Sequence, residues 1–452
     1  MHIIKDYVYD DENLAFVPLN LYNMENKAVI SQYMINKAEY EKVESVLKDK
    51  KMQEYTAINK LLTVAGIAVT YDCQLRCNYC GNNSTENNTH KTDINDVICF
   101  VKYLIKNVKV KKIIDNTTNG LTIYLSGGGE PTYDWNLFCN VVDTIHELCD
   151  KENIACNINL TSNGILTQKQ IEYICKNIQT IMISFDGIPQ IQNKNRRFND
   201  KSMTSDCVVN TIKSLDEYGS NYNIRSTLWH EDLKYLEDMF HFIYDNFKNF
   251  GAWSINTITS AGRANGYSAK VKERDIDDFF DTYIKIKNEA MDKYGKSNLG
   301  LLFITNELCG LICGIADANS PFLYPNKNIG ICVDAADLSP IVGGIVNGKV
   351  VMKPSYSKEI FDVYFNRYHE CKKCIAFRFC AGGCPIKRMR ANNISSADFE
   401  YEIIKKYYTY IFEKILEGEQ PFGWYGKKIH VKELNGDIIQ MTNQRIALET
   451  NN

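Results

Sequence analysis

The chain has 452 residues, 44% hydrophobic and 24% charged, which is enough for a large core and more than one domain. A formal net charge of −3 gives no electrostatic reason to expect a nucleic-acid partner, and no signal peptide or membrane-spanning apolar run is present, so we expect a cytoplasmic chain without a membrane partner. In a reducing compartment its sixteen cysteines are not expected to form disulfides. Ten of them stand in groups that are expected to bind metal, and the six that stand singly are expected to be buried, reduced thiols.

Residues 1–60 predict a small strand–strand–helix region. Apolar stretches at 16–23 and 28–35 suit two strands around a turn, and residues 38–50 suit a short helix. The edge of such a region is able to accept an extended peptide by β-augmentation, or the region simply caps the next domain. The sequence leaves both alternatives open.

Residues 61–295 predict six strand–helix units. Each short β-type run leads into an amphipathic segment long enough for a crossover between parallel strands. Six units suit a partial, parallel (β/α)6 barrel better than a full barrel of eight, so the expected fold class is α/β. The predicted strands lie at 62–70, 121–126, 157–162, 180–185, 224–229 and 252–258, and the predicted helices begin near 94, 134, 168, 206, 231 and 273.

Polar and glycine-rich loops follow the first four predicted strands. They are CQLRCNYC (73–80), GGGEPT (127–132), TSNG (161–164) and DG (186–187). Each alone is an ordinary turn sequence. In parallel barrels, however, chemistry gathers on the loops at the carboxyl ends of the strands. Four such loops on one rim therefore predict an active site.

The first loop spaces Cys73, Cys77 and Cys80 as C-x3-C-x2-C. A [4Fe–4S] cluster has four irons, so three thiolates leave one iron open, and an open metal position is where a cofactor or substrate binds. Glycines in the second loop allow close backbone approach, and the Glu130 carboxylate suits an ammonium group. The other polar candidates are Ser162, Asn163, Ser184 and Asp186, with Tyr79 placed to face an adenine ring.

Over about residues 62–290, these motifs make the chain resemble the radical S-adenosylmethionine (SAM) superfamily. The resemblance implies that Cys73, Cys77 and Cys80 hold the cluster, and that SAM chelates the fourth iron and is cleaved to a 5′-deoxyadenosyl radical. It implies that Glu130 binds the methionyl amine. The remaining implied SAM contacts are Tyr79, Gly128, Gly129, Ser162, Asn163, Ser184, Asp186, Arg196 and Arg225.

A second set of thiols lies in residues 300–400. The set comprises Cys309, Cys313, Cys332, Cys371, Cys374, Cys380 and Cys384. Structural zinc is the simplest alternative, but seven thiols fit zinc sites poorly. The pattern resembles the SPASM extension of radical SAM enzymes, which implies a first auxiliary [4Fe–4S] cluster on Cys309, Cys313, Cys332 and Cys384. By the same resemblance Cys371, Cys374 and Cys380 begin a second auxiliary cluster, and residues 401–452 form a C-terminal helix and tail.

The chain departs from the SPASM pattern in two places. No cysteine follows Cys384, so the second auxiliary cluster lacks a fourth thiolate, and either a side chain or a substrate thiolate would take that position. The side-chain alternatives are His369, Asp398, Glu400 and Glu402. Lys327 or Asn328 also stands where the pattern has a turn glycine.

The resemblance implies a peptide maturase that installs a thioether or carbon–carbon cross-link. Its implied partners are a peptide substrate with a leader sequence and a low-potential electron donor such as flavodoxin or ferredoxin. A sulfatase-maturating, formylglycine-generating enzyme is the alternative, with Asp334 near Cys332 as a weakly supported general base because Val333 intervenes. A non-catalytic multi-cluster electron carrier is disfavoured, since it needs neither an open iron nor the glycine-rich loop.

Overall fold

Three short strands come first along the chain: β1 (His2–Ile4), β2 (Tyr7–Asp10) and β3 (Ala15–Pro18), paired antiparallel in that order. The structure is a computed structural model, and it describes residues 2–4, 7–10, 15–18, 62–84, 90–114, 120–258, 260–267, 273–295, 298–304, 321–332, 341–353, 371, 373–380, 383–384, 386–387, 398–418, 430–434 and 438–442. The predicted strand at 16–23 overlaps β3 only at its start. The predicted strand at 28–35 and helix at 38–50 lie outside the described residues.

The six predicted parallel strands are present and pair in chain order. Neighbouring strands in this order need right-handed crossovers, which the intervening helices supply. The sheet continues past both ends of this set without closing on itself, so the α/β fold with a partial parallel barrel is confirmed. The strands are β4 (Val64–Ile67), β5 (Leu121–Leu125), β6 (Cys156–Ser162), β7 (Thr180–Ser184), β8 (Tyr222–Leu228) and β9 (Trp253–Thr257).

The crossover helices begin where the sequence supplies caps. Asp134 accepts a hydrogen bond from the Leu137 amide, and Thr167 forms a capping box with Gln170, so the helices that follow them start at defined residues. The short helix at 189–195, which opens with Pro189, was not predicted. The helices are α1 (Ile94–Ile114), α2 (Trp135–Lys151), α3 (Gln168–Asn177), α4 (Pro189–Asn195), α5 (Ser205–Glu217), α6 (Leu236–Asn246) and α7 (Glu273–Tyr294).

The main core lies between these helices and the sheet. Ile67 and Ile123 of the first two parallel strands are fully buried, and so are Phe100 of α1 and Phe138 of α2. Burying each such side chain contributes about 1.5–3 kcal/mol relative to leaving it exposed. The apolar runs of the sequence thus fix the strand positions, and with them the rim that carries the polar loops.

Five shorter strands extend the sheet on both sides. β10 (Leu299–Leu301) pairs parallel with β9, and β11 (Phe322–Leu323) pairs parallel with β4. β12 (Asn328–Gly330), β13 (Gly343–Val346) and β14 (Lys349–Met352) then continue antiparallel from β11. A Cβ atom on Gly66 would lie 1.9 Å from the Phe322 ring, so glycine permits this pairing.

The turn between β11 and β12 explains one departure from the SPASM pattern. Lys327 there has a φ angle of 68°, in the left-handed region that favours glycine. The backbone therefore keeps the turn conformation without the glycine. This hairpin delivers Cys332 two residues after β12.

The carboxyl-terminal part packs against a helix of the barrel set and pairs with the first strands of the chain. It contains α8 (Phe377–Cys380), α9 (Asp398–Leu416), β15 (His430–Leu434) and β16 (Ile438–Thr442). Helix α9 packs against α7, where the rings of Phe399 and Phe279 lie 5.3 Å apart. β16 pairs with β3, which gives a second sheet in the order β1-β2-β3-β16-β15. None of the helices in the described ranges is long and apolar enough to cross a membrane.

Candidate active site

The carboxyl ends of the parallel strands surround a cavity of about 300 Å³. This volume lies at the lower end of the range usual for small-molecule sites, about 300–1,000 Å³. Thirteen residues were assigned from the sequence to SAM or its cluster, and all of them except Asp186 line this cavity. The lining residues from that set are Cys73, Cys77, Tyr79, Cys80, Gly128, Gly129, Glu130, Ser162, Asn163, Ser184, Arg196 and Arg225, whereas Asp186 is absent from the lining.

The cysteine loop is held by backbone hydrogen bonds to the last residue of α4 and to the segment that follows it. The Arg76 amide donates to the Arg197 carbonyl at 2.7 Å, and the Asn78 amide donates to the Asn195 carbonyl at 2.9 Å. These bonds fix the path of the loop between its first and last thiols. Backbone hydrogen bonds, together with side-chain packing, therefore set the shape of the loop that carries the three thiols to the cavity.

Asp186 lies behind the wall and anchors the same loop. Its side chain is fully buried and accepts hydrogen bonds from the Tyr79 hydroxyl at 2.6 Å and from Arg196 Nε at 3.0 Å. The Arg196 guanidinium also lies 5.2 Å from the centre of the Tyr79 ring. A buried carboxylate requires such partners. The structure thus turns Asp186 toward the protein, not toward the cavity where a cofactor contact was expected.

The glycine-rich loop lies against the cysteine loop. The Gly129 amide donates to the Thr70 carbonyl and the Glu130 amide to the Asp72 carbonyl, both at 2.8 Å. A Cβ atom on Gly129 would lie 1.9 Å from the Asp72 carbonyl oxygen. Glycine is therefore required for the two loops to approach this closely.

Glu130 is a buried carboxylate with an oriented side chain. One oxygen accepts from the Thr132 hydroxyl at 2.7 Å and the other accepts from the Asn163 amide at 2.7 Å. Burial raises the pKa of the Glu130 carboxyl, and the hydrogen bonds from Thr132 and Asn163 oppose that shift. Glu130 also lines the cavity, so its negative charge lies where an ammonium group of a ligand could pair with it.

The three thiols suit a cluster better than a single ion. Among the described residues no three His, Cys, Asp or Glu side chains converge on a position for one metal ion. In a four-iron cluster each thiolate binds a different iron, so the sulfur atoms lie farther apart than ligands of one ion.

Burial raises the pKa of the Cys77 thiol to about 11 and that of Cys73 well above its usual value. The positive charge of bound iron would offset this shift and favour the thiolates. Cys73 Sγ also accepts a hydrogen bond from the Leu75 amide at 3.3 Å. The residues present therefore fit a [4Fe–4S] cluster with an open iron beside the Glu130 loop.

Two thiols of the carboxyl-terminal set reach the same cavity. Cys332 and Cys384 are lining residues, although they follow the parallel sheet in sequence. Cys371, Cys374 and Cys380 sit in and before α8, where the Cys374 amide donates to the Cys371 carbonyl at 2.8 Å. Cys309, Cys313, His369 and Asp334 lie outside the described residues, as does the Asp398 side chain.

The carboxylates considered as auxiliary cluster ligands have other partners. Glu402 pairs with Lys405, three residues along α9, at 2.5 Å. Glu400 accepts hydrogen bonds from Thr257 at the end of β9 and from Lys387. Both carboxylates are therefore engaged within the described part of the chain.

Three residues that line the cavity were missed from the sequence: Asn256, Thr257 and Lys387. Glu400, which contacts Thr257 and Lys387, was considered only as an auxiliary cluster ligand. The strand prediction placed Asn256 and Thr257 at the end of the sixth strand, which was a usable signal. Nothing in the sequence connects Lys387 or Glu400 with them, since the contacts join positions 131 and 143 residues apart.

Residues 67–243 match the model of the Radical SAM superfamily. The chain is 22% identical over 361 residues to the cysteine-type anaerobic sulfatase-maturating enzyme of Clostridium perfringens, covering 76% of this chain and 94% of that protein. The corresponding enzyme of Clostridium novyi is 20% identical over 331 residues, covering 69% and 85%.

Solved structures agree on the fold. Native anSMEcpe with bound AdoMet superimposes with a TM-score of 0.62 at 17% identity, covering 78% of this chain and 98% of that one. The same enzyme with AdoMet and the Cp18Cys peptide gives a TM-score of 0.60 with the same coverage. Residues 67–243 are therefore similar to the radical SAM superfamily, and the cavity residues of this region suit its cofactors, S-adenosylmethionine and a [4Fe–4S] cluster.

Proposed function

We propose that this chain oxidises a cysteine or serine side chain of a peptide or protein, in the manner of a sulfatase-maturating enzyme. The observation that carries the proposal is the extent of the similarity: the two relatives of that name are matched over 94% and 85% of their length, well beyond residues 67–243. Among the functions considered from the sequence, this was the alternative to a cross-linking maturase, and the relatives favour it.

The cavity supplies what hydrogen abstraction from a side chain requires. When bound and reduced, the cluster with SAM supplies a 5′-deoxyadenosyl radical. Cys73, Cys77 and Cys80 would hold that cluster, and Glu130 would orient the amino group of SAM. Tyr79, a residue of the same loop, keeps the loop in place through its hydrogen bond to Asp186.

Cys332 and Cys384 bring the auxiliary region to the same cavity. They would hold part of a first auxiliary [4Fe–4S] cluster, with Cys309 and Cys313 as the other expected ligands. Cys371, Cys374 and Cys380 would hold a second auxiliary cluster. The domain division into residues 1–60, 61–295, 300–400 and 401–452 belongs to the same proposal.

A cross-linking maturase is the second candidate. It is favoured by the second auxiliary cluster, for which the chain offers three cysteines, while the side chains of Glu400 and Glu402 are engaged elsewhere. A position left open there would suit a substrate thiolate, because coordination to a metal deprotonates and positions the sulfur. That chemistry would lead to a thioether.

The proposed partners follow from the same reasoning. A peptide is the expected substrate. The solved anSMEcpe structure, which has a similar fold, contains the bound Cp18Cys peptide. A low-potential donor such as flavodoxin or ferredoxin would reduce the cluster, and the cytoplasm would provide the reducing surroundings. Leader binding by residues 1–60 is part of the cross-linking alternative.

The two candidates predict different products. Anaerobically reconstituted protein would be incubated with SAM, dithionite and a cysteine-containing sulfatase peptide, and the peptide analysed by mass spectrometry. We expect conversion of cysteine to formylglycine, with no change in a peptide carrying alanine at that position. Loss of only two hydrogen atoms, with a new thioether in the fragment spectrum, would favour the cross-linking candidate instead. An unmodified peptide in the presence of SAM cleavage would contradict the proposed activity.

A further inference from the structure

A largely buried ion pair, Lys387 with Glu400, borders the cavity, and its lysine lines the wall. Lys387 Nζ lies 2.5 Å from Glu400 Oε1 and 3.1 Å from Asn256 Oδ1. The same Glu400 oxygen accepts from the Thr257 hydroxyl. The Lys387 side chain is 18% exposed and that of Glu400 6%, so both charges lie largely out of water.

Three distant segments build this arrangement. Asn256 and Thr257 end the last strand of the barrel set, Glu400 lies in the first turn of α9, and Lys387 follows Cys384. Desolvating two charges costs several kcal/mol per ion, so a buried pair is weak evidence of a role in stability. Its place on a cavity wall gives a better reason for its presence.

The ammonium group has one donor left for a ligand. Lys387 carries three N–H groups, and within the described residues Glu400 and Asn256 accept two of them. Lys387 and Asn256 both line the cavity, so the remaining N–H is available there. The charge of Lys387 is balanced by Glu400. A neutral acceptor therefore suits this donor better than an anion would.

The position of the pair separates it from the residues assigned to SAM. Those residues come from the loops after β4, β5, β6 and β7 and from β8, whereas the pair is attached to β9 and to the carboxyl-terminal region. A ligand contacting Lys387 and a ligand contacting Glu130 would thus occupy different sides of one cavity.

We propose that Lys387 is a substrate-positioning residue whose remaining N–H donates to a backbone carbonyl of a peptide substrate. The inference rests on the proposed function, because it takes the substrate to be a peptide. Glu400 and Asn256 hold the ammonium group in place for this contact. The peptide would then present its side chain to the side of the cavity formed by the cysteine and glycine-rich loops.

The test compares peptide binding in the Lys387→Met variant and in wild-type protein. Reconstituted proteins with SAM and no reductant would be titrated with the cysteine-containing sulfatase peptide, and SAM affinity and iron content measured alongside. Losing a hydrogen bond from a charged donor should weaken peptide binding by about tenfold or more. Lys285→Met is the matched control, since it removes a lysine from an exposed pair with Glu237 at 2.6 Å and should leave peptide binding unchanged.

The outcomes separate this inference from the proposed function. Weaker peptide binding with normal iron content and SAM affinity would support the subsite. Unchanged peptide binding in Lys387→Met, while wild-type protein still modifies the peptide, would overturn the subsite alone. Weaker SAM binding with unchanged peptide binding would assign Lys387 to the cofactor and also overturn it. Wild-type protein that neither binds nor modifies the peptide would contradict the proposed function and the subsite with it.

Discussion

The cavity has two walls that are built in different ways. The loop wall (residues 73–80, 127–130 and 162–163) is joined by backbone hydrogen bonds and by contacts to buried groups such as Asp186. The helix wall (Asn256, Thr257, Lys387 and Glu400) is joined by side chains from three segments. Backbone contacts fix a shape regardless of most side chains, whereas the helix wall changes with each residue in it. We infer that the loop wall serves the shared cofactor and the helix wall serves the particular substrate.

The largest effect is expected at the anchor of the loop wall. Asp186→Ala would leave the buried Arg196 guanidinium without its carboxylate, which should lower the free energy of unfolding by about 3–5 kcal/mol. Tyr79→Phe removes only one hydrogen bond to the same carboxylate and should cost about 1 kcal/mol. Urea denaturation of the anaerobic proteins measures both. Equal losses in the two variants would show that the ion pair does not hold the loop.

A smaller effect is expected for the cofactor contact of the loop wall. Glu130→Gln removes a charge-assisted hydrogen bond worth about 1.5–3 kcal/mol, so the dissociation constant for SAM should rise by about tenfold or more. Iron content should stay normal, because the carboxylate is not a cluster ligand. Glu231→Gln is the control, since Glu231 is 65% exposed and pairs with Lys194 at the surface. Unchanged SAM affinity in Glu130→Gln would remove this residue from the SAM site.

The free energy of unfolding should depend on pH through His230, which neighbours the helix wall. The His230 ring packs against Phe399 at 4.9 Å, and Nδ1 lies 3.0 Å from the Tyr267 hydroxyl. Burial lowers the pKa of His230 to about 4, with Glu400 opposing the shift and Lys387 adding to it. The native ring stays neutral while the unfolded chain takes up a proton below about pH 6.5. This contribution to stability is therefore complete above that pH and is lost as the pH falls toward 4.

Between pH 7 and pH 5, wild-type protein should lose about 2 kcal/mol of stability that a His230→Phe variant does not lose. His241→Phe is the control, because His241 is 39% exposed near Glu237. Urea denaturation at the two pH values gives the difference. Parallel pH profiles for wild type and His230→Phe would show that the ring is not held neutral behind the helix wall.

The two walls also differ in how far the sequence predicts them. The loop wall follows from local spacing and from the rule that loops at the carboxyl ends of parallel strands meet. Cys73, Cys77, Cys80 and Glu130 were expected on one rim, and all four line the same cavity. Spacing cannot tell which way a side chain faces, and Asp186 is turned into the protein. The helix wall depends on contacts across 131 and 143 residues, for which one sequence carries no signal.

The same contrast holds for the strands. β4–β9 were predicted because their apolar runs and the helices between them repeat a recognisable pattern. β10 and β13–β14 were not, and β11 has only two residues, too few for any periodicity. Their positions are set by pairing with strands already in the sheet, as Phe322 pairs beside Gly66.

Cleavage of SAM tests the central claim most directly. Anaerobically reconstituted wild-type protein with dithionite should convert SAM to methionine and 5′-deoxyadenosine, measured by chromatography. Cys77→Ala should abolish the product, because it removes a cluster ligand from the loop wall. Cys207→Ala, which changes an exposed cysteine on α5, should retain it. Formation of 5′-deoxyadenosine by Cys77→Ala at the wild-type rate would contradict the assignment of the cysteine loop to a SAM-binding cluster.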